Sequence, residues 1–266
     1  MVSRDSEKDL TILKKHVNLL LDFFRENFER RFEYPKDDYF AFMILCFLSK
    51  QKEHLNSVLT LIKNESYSDS MIISRNMIEG VGIILWVSLD LQKRALQWKK
   101  YSIITDYRMY LKKTHGDKTK IAQVIIERSL NEGYFFLKES YKKTNIQKKN
   151  LPADPFRKTW LLDETGQEVK PYKFFDNENK VLYEIYGDMS DWVHWSISRI
   201  GARIYRENSE VGFYSSPAQD GCYALSSAFL SMHFIFEVVN KHLNLKLDDK
   251  IKQLSDNYKN ELIINN

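Results

Sequence analysis

The sequence predicts an all-α protein. Only 9 glycines and 5 prolines occur in 266 residues, too few for the turns of a β-sandwich. Apolar residues recur at intervals of three and four along most of the chain, as on one face of a helix, whereas the alternation of a half-buried strand is nearly absent. About seven helices account for this pattern. No change in composition divides the chain, so we expect one domain over residues 1–266.

Each predicted helix has boundary signals of its own. The first has the apolar spacing of an amphipathic helix, and Pro35 marks the turn that follows it. Ser66, Ser68 and Asp69 offer N-caps for the third helix, and His115 with Gly116 marks the end of the fourth. The predicted helices cover approximately residues 7–32, 38–63, 70–89, 91–113, 118–141, 181–198 and 218–242.

A long loop is predicted over about residues 145–179, before the helix that carries His194. Three of the five prolines fall in it, with a short helical turn expected at 156–162. Loops of this length inside a compact domain are usually functional or mobile. A shorter loop is expected over 207–217, and a polar C-terminal tail over about 247–266.

Composition favours a cytoplasmic protein with no membrane segment. The N-terminus has no apolar signal core, and the longest apolar runs are shorter than the roughly 20 residues that a membrane span needs. Cys46 and Cys222 sit in apolar surroundings and are predicted to be buried thiols, which suits a reducing compartment. The net charge of +4 permits binding to nucleic acid without arguing for it.

The third helix carries an unusual charge pair. Residues 71–86 are apolar almost all the way round, so we expect other helices on every side. Arg75 and Glu79 lie one turn apart in this helix and should pair with each other, with a third polar group or with a ligand. Gly80 and Gly82 each cost about 1 kcal/mol relative to Ala and usually let another backbone or a ligand come close. A structural ion pair and a pocket lining both fit this pattern.

A second candidate site surrounds His194, which lies between Trp192 and Trp195. Asp191 precedes the histidine by one helical turn, and Ser190 precedes it by four residues. A carboxylate at this distance can orient an imidazole and raise its pKa, as a general acid or base requires. The same spacing also suits a histidine that is simply packed and hydrogen-bonded at a helix end.

Metal and cofactor chemistry are not expected. Asp191 with His194, and His233 with Glu237, could each give two metal ligands, but no Glu-x-x-His occurs in the sequence. A Gly-rich phosphate loop and a Cys-x-x-Cys pair are also missing from it. Four lysines, at 142, 143, 148 and 149, form either a modest basic patch or a solvated helix end.

The order of these motifs resembles an uncharacterised bacterial family, a domain of unknown function. Its members pair an Arg-x-x-x-Glu helix, here Arg75 and Glu79, with a later Tyr-x-x-x-Ser-x-x-x-His segment, here Tyr186, Ser190 and His194. Residues 155–157, Pro-Phe-Arg, lie between them. The resemblance covers about residues 50–243. That family in turn resembles the HEPN superfamily of helical bundles.

The resemblance implies a HEPN-like bundle that forms a homodimer. Many HEPN domains are metal-independent RNases in toxin–antitoxin, abortive-infection and other phage-defence systems. RNA or a nucleotide is then the expected ligand, and a protein encoded in the same operon is an expected partner. In the HEPN RNase motif, four to six residues separate an arginine from the histidine that follows it; the arginine stabilises phosphate charge and the histidine transfers a proton.

Two functions follow from the resemblance. As an RNase, the protein would use His194 as acid and base, Asp191 to orient it, Arg75 on the phosphate and Glu79 to hold Arg75. Tyr186, Ser190 and Trp195 would line the ligand site. As a non-catalytic module, it would use the same residues as a structural core or as a binding site.

The RNase motif itself is not matched at His194. No arginine precedes this histidine at the required distance, so Arg75 from another helix would have to replace it. Arg108 and His115 do have the spacing, but they lie at the end of an ordinary helix.

Overall fold

The computed structural model describes residues 6–142, 154–175, 180–193, 204–207, 210–213 and 218–264. Most of these residues are helical, which confirms the all-α class. The helices are α1 (Ser6–Phe28), α2 (Tyr39–Lys63), α3 (Tyr67–Ser88), α4 (Leu91–Lys113), α5 (Gln123–Glu132), α6 (Glu139–Lys142), α7 (Lys180–Val193), α8 (Ala218–Leu243) and α9 (Asp248–Ile264). Short 3-10 helices cover Lys118–Lys120, Tyr134–Phe136 and Pro171–Phe174.

The chain divides into two compact units. The first is built from residues 1–89 and 171–266, and the second from residues 90–170. The sequence shows no change in composition at either boundary. One domain over residues 1–266 stays a prediction, since the compactness of two units does not decide whether they unfold together.

Helices α3 and α8 form the centre of the first unit. α8 packs against α1, α2 and α3, and α3 also packs against α7 and the 3-10 helix Pro171–Phe174. The Ser74 hydroxyl donates to the Ala224 carbonyl at 2.9 Å and ties α3 to α8. Phe28 of α1 stacks on Phe236 of α8 with ring centroids 4.9 Å apart. This bundle fixes the position of α3, which carries Arg75 and Glu79.

The two central helices are also long and apolar enough to cross a membrane, judged by length and composition alone. More than half of each apolar window is buried inside the first unit. A helix that is apolar all round is expected in the middle of a bundle as well as in a bilayer. Their packing therefore accounts for their composition.

The second unit has a small core of its own. Its buried side chains are Ile104, Tyr107, Ile121, Ile126, Phe136, Leu137, Phe156 and Leu162. The Arg108 guanidinium holds the segment after residue 153 against α4, because it donates to Asp154 Oδ2 at 3.0 Å and to the Arg157 carbonyl at 2.8 Å. Buried aromatic side chains and the hydrogen bonds of Arg108 therefore hold the segment after residue 153, which has little regular secondary structure.

The predicted helix over 118–141 is wrong as a single element. The structure breaks it into a 3-10 helix, α5, a second 3-10 helix and the one-turn α6. Gly133 ends α5, and a Cβ on this residue would lie 2.5 Å from Ile104 Cδ1. Because a side chain does not fit there, the glycine lets the chain turn closely over α4. The helical turn expected at 156–162 is also wrong, since Phe156 and Leu162 form isolated β-bridges instead.

The polar C-terminal tail is a helix. α9 covers Asp248–Ile264, and its buried side chains include Ile251 and Tyr258, seven residues apart. Tyr258 stacks on Phe229 of α8 with centroids 4.0 Å apart. One apolar stripe is enough to dock a helix whose other faces are polar.

The structure differs from the sequence predictions in three smaller respects: a pair of strands, the end of the first helix and the burial of the two cysteines. An antiparallel hairpin pairs β1 (Ile204–Glu207) with β2 (Glu210–Phe213), partly inside the predicted loop 207–217. The first helix ends at Phe28, four residues early. Cys46 and Cys222 are half-buried rather than fully buried.

Candidate functional site

Arg75 of α3 lies against α7 and contacts two of the predicted ligand-binding residues. Its Nε donates to Ser190 Oγ at 3.2 Å, and its Nη2 donates to the Tyr186 hydroxyl at 2.8 Å. The guanidinium carbon lies 4.5 Å from the centroid of the Tyr186 ring, within the range of a cation–π contact. Only 13% of the Arg75 side chain is exposed. This polar contact joins segments more than a hundred residues apart in the sequence.

Glu79 forms an ion pair with Arg75, at 3.6 Å between Oε2 and Nη1. Its side chain is 39% exposed, so the expectation of a fully buried pair is wrong for the carboxylate. The pattern of residues 71–86 shows an apolar surface on all sides, but it does not show which edge of the helix meets solvent. With one partner in contact with water, the pair is worth less than a buried one.

Tyr186 and Ser190 also contact each other within α7. The Ser190 hydroxyl donates to the Tyr186 carbonyl at 2.9 Å while its oxygen accepts from Arg75. Burial raises the pKa of the Tyr186 phenol, and the nearby Arg75 charge opposes this effect. The phenol is therefore protonated at neutral pH. Its oxygen accepts from Arg75, and its proton is available to an acceptor such as a phosphate oxygen.

Tyr172 extends the cluster and was not predicted from the sequence. Its ring stacks on Tyr186 with centroids 5.7 Å apart and planes 27° apart. The preceding residue, Pro171, lies against α3 at Gly82, where a Cβ would be 2.9 Å from the Pro171 carbonyl oxygen. Gly82 therefore has the role expected of it, the close approach of another backbone. Tyr172 had no local signal, because its position depends on this contact.

Gly80 accommodates a side chain instead of a backbone. A Cβ at this position would lie 2.6 Å from Gln51 Nε2. That amide nitrogen donates to the Met77 carbonyl at 2.9 Å, and the Gln51 side chain is buried between α2 and α3. The two glycines of α3 thus face two different neighbours.

The structure brings together Arg75, Glu79, Tyr186 and Ser190. His194 and Trp195 lie outside the described residues, and so does the side chain of Asp191. In the sequence, His194 follows Ser190 by four residues. Proximity of Arg75 to His194 stays a prediction.

The described residues offer no metal cluster. No group of three or more His, Cys, Asp or Glu side chains within the described ranges could hold a metal ion. His233 and Glu237 approach to 3.7 Å, but the other ring nitrogen of His233 lies 3.1 Å from the Ile251 carbonyl oxygen. This pair therefore helps to hold α9 on α8.

The match to the Arg-to-His spacing, at Arg108 and His115, has a structural role. Arg108 uses its donors on Asp154 and on backbone carbonyls of the following segment. His115 has a positive φ of 52° and lies just past the end of α4, where the helix reverses into a turn. Of the predicted basic patch, Lys142 pairs with Glu139 at 2.9 Å, and the other lysines lie outside the described residues.

Comparison with known proteins shows the family to which the chain belongs. None of the curated proteins and none of the solved structures searched matches the chain. A family of unknown function, DUF5677, matches residues 41–211, from α2 to β2. The match covers more than half of the chain and includes all the residues of the Arg75 cluster. The chain therefore belongs to the DUF5677 family.

Proposed function

We propose that the protein binds RNA at the contact between α3 and α7 and cleaves it without a metal ion. It would then be a HEPN-like ribonuclease of a bacterial phage-defence, abortive-infection or toxin system. The observation that carries the proposal is Arg75, held by Tyr186 and Ser190 just before His194 in the sequence. A guanidinium can stabilise the phosphate charge and an imidazole can transfer the proton, so the two together can cleave RNA without a metal ion.

The chemistry is transfer of the phosphoryl group to the neighbouring 2′-hydroxyl. The 2′-oxygen attacks phosphorus, the bond to the 5′-oxygen breaks, and the products are a 2′,3′-cyclic phosphate and a 5′-hydroxyl. His194 takes the proton of the 2′-hydroxyl or gives one to the leaving oxygen, and Asp191 orients it. Arg75 and the Tyr186 hydroxyl stabilise the charge on the phosphate oxygens. Glu79 holds Arg75.

The proposal includes the location, the oligomeric state and the partner of the protein. A protein of this kind acts in the cytoplasm as a homodimer and is controlled by a protein encoded in the same operon. Tyr172 and Tyr186 add aromatic surface beside the guanidinium, and unpaired bases stack on such rings.

A non-catalytic binding module is the second candidate. The observation that favours it is the completeness of the Arg75 cluster. The guanidinium already contacts Tyr186, Ser190 and Glu79, and little of it is exposed. In this case the cluster fixes α7 on α3, and a nucleotide binds without being cleaved.

The test compares wild type with His194→Ala, using His115→Ala as the matched control. Each protein is expressed in bacteria and then incubated, purified, with tRNA and total RNA, with and without a chelator. We expect wild type and His115→Ala to slow growth and cut RNA whether or not the chelator is present. Loss of an acid–base group costs about 10²–10⁴ in rate, so His194→Ala should be inactive.

Two results contradict the ribonuclease. One is a wild type that neither cuts RNA nor slows growth, and the other is a His194→Ala protein as active as wild type. RNA binding without cleavage by wild type would support the non-catalytic module instead.

A further inference from the structure

A cleft of about 270 Å³ opens between α2 and α3 in the first unit. This volume lies just below the roughly 300–1,000 Å³ found for small-molecule sites. Its lining includes Phe47, Gln51 and His54 from α2, and Asn76, Glu79 and Ile83 from α3. The cleft reaches the Arg75 cluster because Glu79 belongs to both.

Gln51 provides a buried acceptor in the cleft lining. The side chain is 3% exposed, and its Nε2 donates to the Met77 carbonyl. Its Oε1 has no hydrogen-bond partner among the described residues. Buried carbonyl oxygens are nearly always paired, so an unpaired one beside a cleft indicates a missing donor.

Glu79 supplies a second acceptor. Its carboxylate meets Arg75 through Oε2, and in the described part of the chain this is its one ion pair. A carboxylate has four lone-pair positions and can accept two parallel hydrogen bonds. The ligand therefore presents donors to this wall.

Apart from the polar Asn76, the remaining side chains of the lining are apolar or basic. Phe47 and Ile83 give apolar surface suited to a flat ring. Lys50 also lines the cleft and pairs with Glu53 at 3.0 Å. Burial lowers the pKa of His54, and the Lys50 charge acts in the same direction, so the imidazole is neutral at pH 7.

We infer that this cleft binds a nucleobase and selects guanine. The guanine N1–H and 2-amino groups are adjacent donors that match one carboxylate, and O6 and N7 are acceptors for a lysine. Uracil has no amino group, and adenine presents an acceptor at N1. A carboxylate and an ammonium lining the same cleft, from Glu79 and Lys50, therefore complement guanine best.

This inference rests on the proposed function and gives it a sequence preference. Glu79 would hold the base while Arg75, one turn away on α3, holds a neighbouring phosphate. Cleavage would then follow guanine residues. The two ideas remain separable, because nucleotide binding can be measured without any cleavage.

The experiment is calorimetric titration of the whole protein with GMP, IMP and UMP. IMP lacks only the 2-amino group. We expect GMP to bind about tenfold more tightly than IMP, and UMP to bind more weakly still. Glu79→Gln should abolish the preference for GMP over IMP, because an amide offers one acceptor and one donor. The control Glu26→Gln, at an exposed position of α1, should keep it.

A second variant guards against loss of folding. Gln51→Met keeps the length of the side chain and removes both the acceptor and the hydrogen bond to the Met77 carbonyl, so GMP should bind several-fold more weakly while the far-ultraviolet circular dichroism is unchanged. The inference is overturned if wild type does not bind GMP, or if both variants keep the GMP-to-IMP ratio and the affinity of wild type. RNA cleavage without GMP binding overturns the inference and leaves the ribonuclease standing. GMP binding without RNA cleavage supports the guanine site and contradicts the ribonuclease.

Discussion

The Arg75 guanidinium donates through Nη2 to the Tyr186 hydroxyl at 2.8 Å, and this bond joins α3 to α7 across 111 residues of sequence. Its Nε bond to Ser190 lies one helical turn further along α7. Two hydrogen bonds from one planar group fix both the position and the rotation of a helix. The orientation of α7 on α3 therefore depends strongly on one side chain.

Replacing Arg75 by Ala should destabilise the first unit by about 1–3 kcal/mol, because Tyr186 and Ser190 lose a charged donor. Arg75→Lys should recover only part of the lost stability, since a lysine ammonium cannot reproduce the two hydrogen bonds that the planar guanidinium donates to Tyr186 and Ser190. Urea unfolding measures the difference. An Arg75→Ala protein as stable as wild type would show that the contacts with α7 contribute nothing.

Glu79→Gln should have a much smaller effect on stability, about 0–1 kcal/mol. A fully buried pair would lose about 3–5 kcal/mol when one partner is removed, but this carboxylate is 39% exposed. The same urea titration tests it. A loss of unfolding free energy as large as that of Arg75→Ala would show that the Arg75–Glu79 pair behaves as a buried ion pair.

Gly82→Ala should destabilise the protein by about 1–3 kcal/mol, because the new Cβ would lie 2.9 Å from the Pro171 carbonyl oxygen. Gly187 is the matched control. It lies inside α7, and a Cβ added there would have nothing within 4 Å, so Gly187→Ala should stabilise by about 0.5–1 kcal/mol. Thermal melts of both variants should shift in opposite directions; a shift in the same direction contradicts the packing of Pro171 on α3.

Stability should fall as the pH drops below about 6.5, partly because of His16. This side chain is 1% exposed and packs edge-on against Phe229 and Tyr258. Burial lowers the pKa of His16 from 6.5, although Glu261, with Oε2 3.3 Å from Nε2, opposes the shift. The unfolded chain then binds the proton more readily than the folded protein. The stability is complete above the unfolded pKa and decreases toward the folded one.

The measurement is the free energy of unfolding between about pH 7 and pH 5.5. One such group contributes at most about 1.4 kcal/mol per pH unit. His16→Leu should flatten the curve, and His54→Gln should flatten it separately, since burial lowers the pKa of His54 too. An unchanged slope in His16→Leu would show that His16 titrates alike in both states.

Arg108→Ala should destabilise the second unit by about 2–3 kcal/mol, because Asp154 and two backbone carbonyls lose their charged donor. His115→Ala should change stability little, since the imidazole is exposed past the end of α4. Hydrogen exchange of amides in residues 90–142 separates this unit from the first. Equal protection in wild type and Arg108→Ala would contradict the anchoring role.

The central helices were predictable because their patterns are local. The apolar surface of α3 indicated a buried helix, and two charges within it indicated a contact with another polar group. The partners of Arg75 are Tyr186 and Ser190, which lie more than a hundred residues later and cannot be found from the pattern of α3. The family resemblance drew attention to them, because it relates the Arg-x-x-x-Glu helix to the later Tyr-x-x-x-Ser-x-x-x-His segment.

The errors arise where tertiary contacts override local preference. The sequence predicts a tail at α9 because Ile251 and Tyr258 are sparse among polar residues, yet both side chains are buried and the helix packs against α1 as well as α8. One of the interruptions in the predicted helix over 118–141 is at Gly133, which ends α5 and lies against Ile104, a residue distant in the sequence. Glu79 is 39% exposed at a cleft between α2 and α3, and the packing of these two helices is not readable from the residues of α3 alone.

The order in which the ribosome releases the chain bears on how the first unit matures. Ser74 and its partner Ala224 are separated by 150 residues, and α8 completes the core that α1, α2 and α3 begin. At about 5–20 residues per second, roughly 8–30 s pass between their syntheses. During that interval the apolar faces of three nascent helices have no α8 to cover them, while residues 90–170 can already condense. Newly made chains should therefore depend on chaperones until α8 has been synthesised.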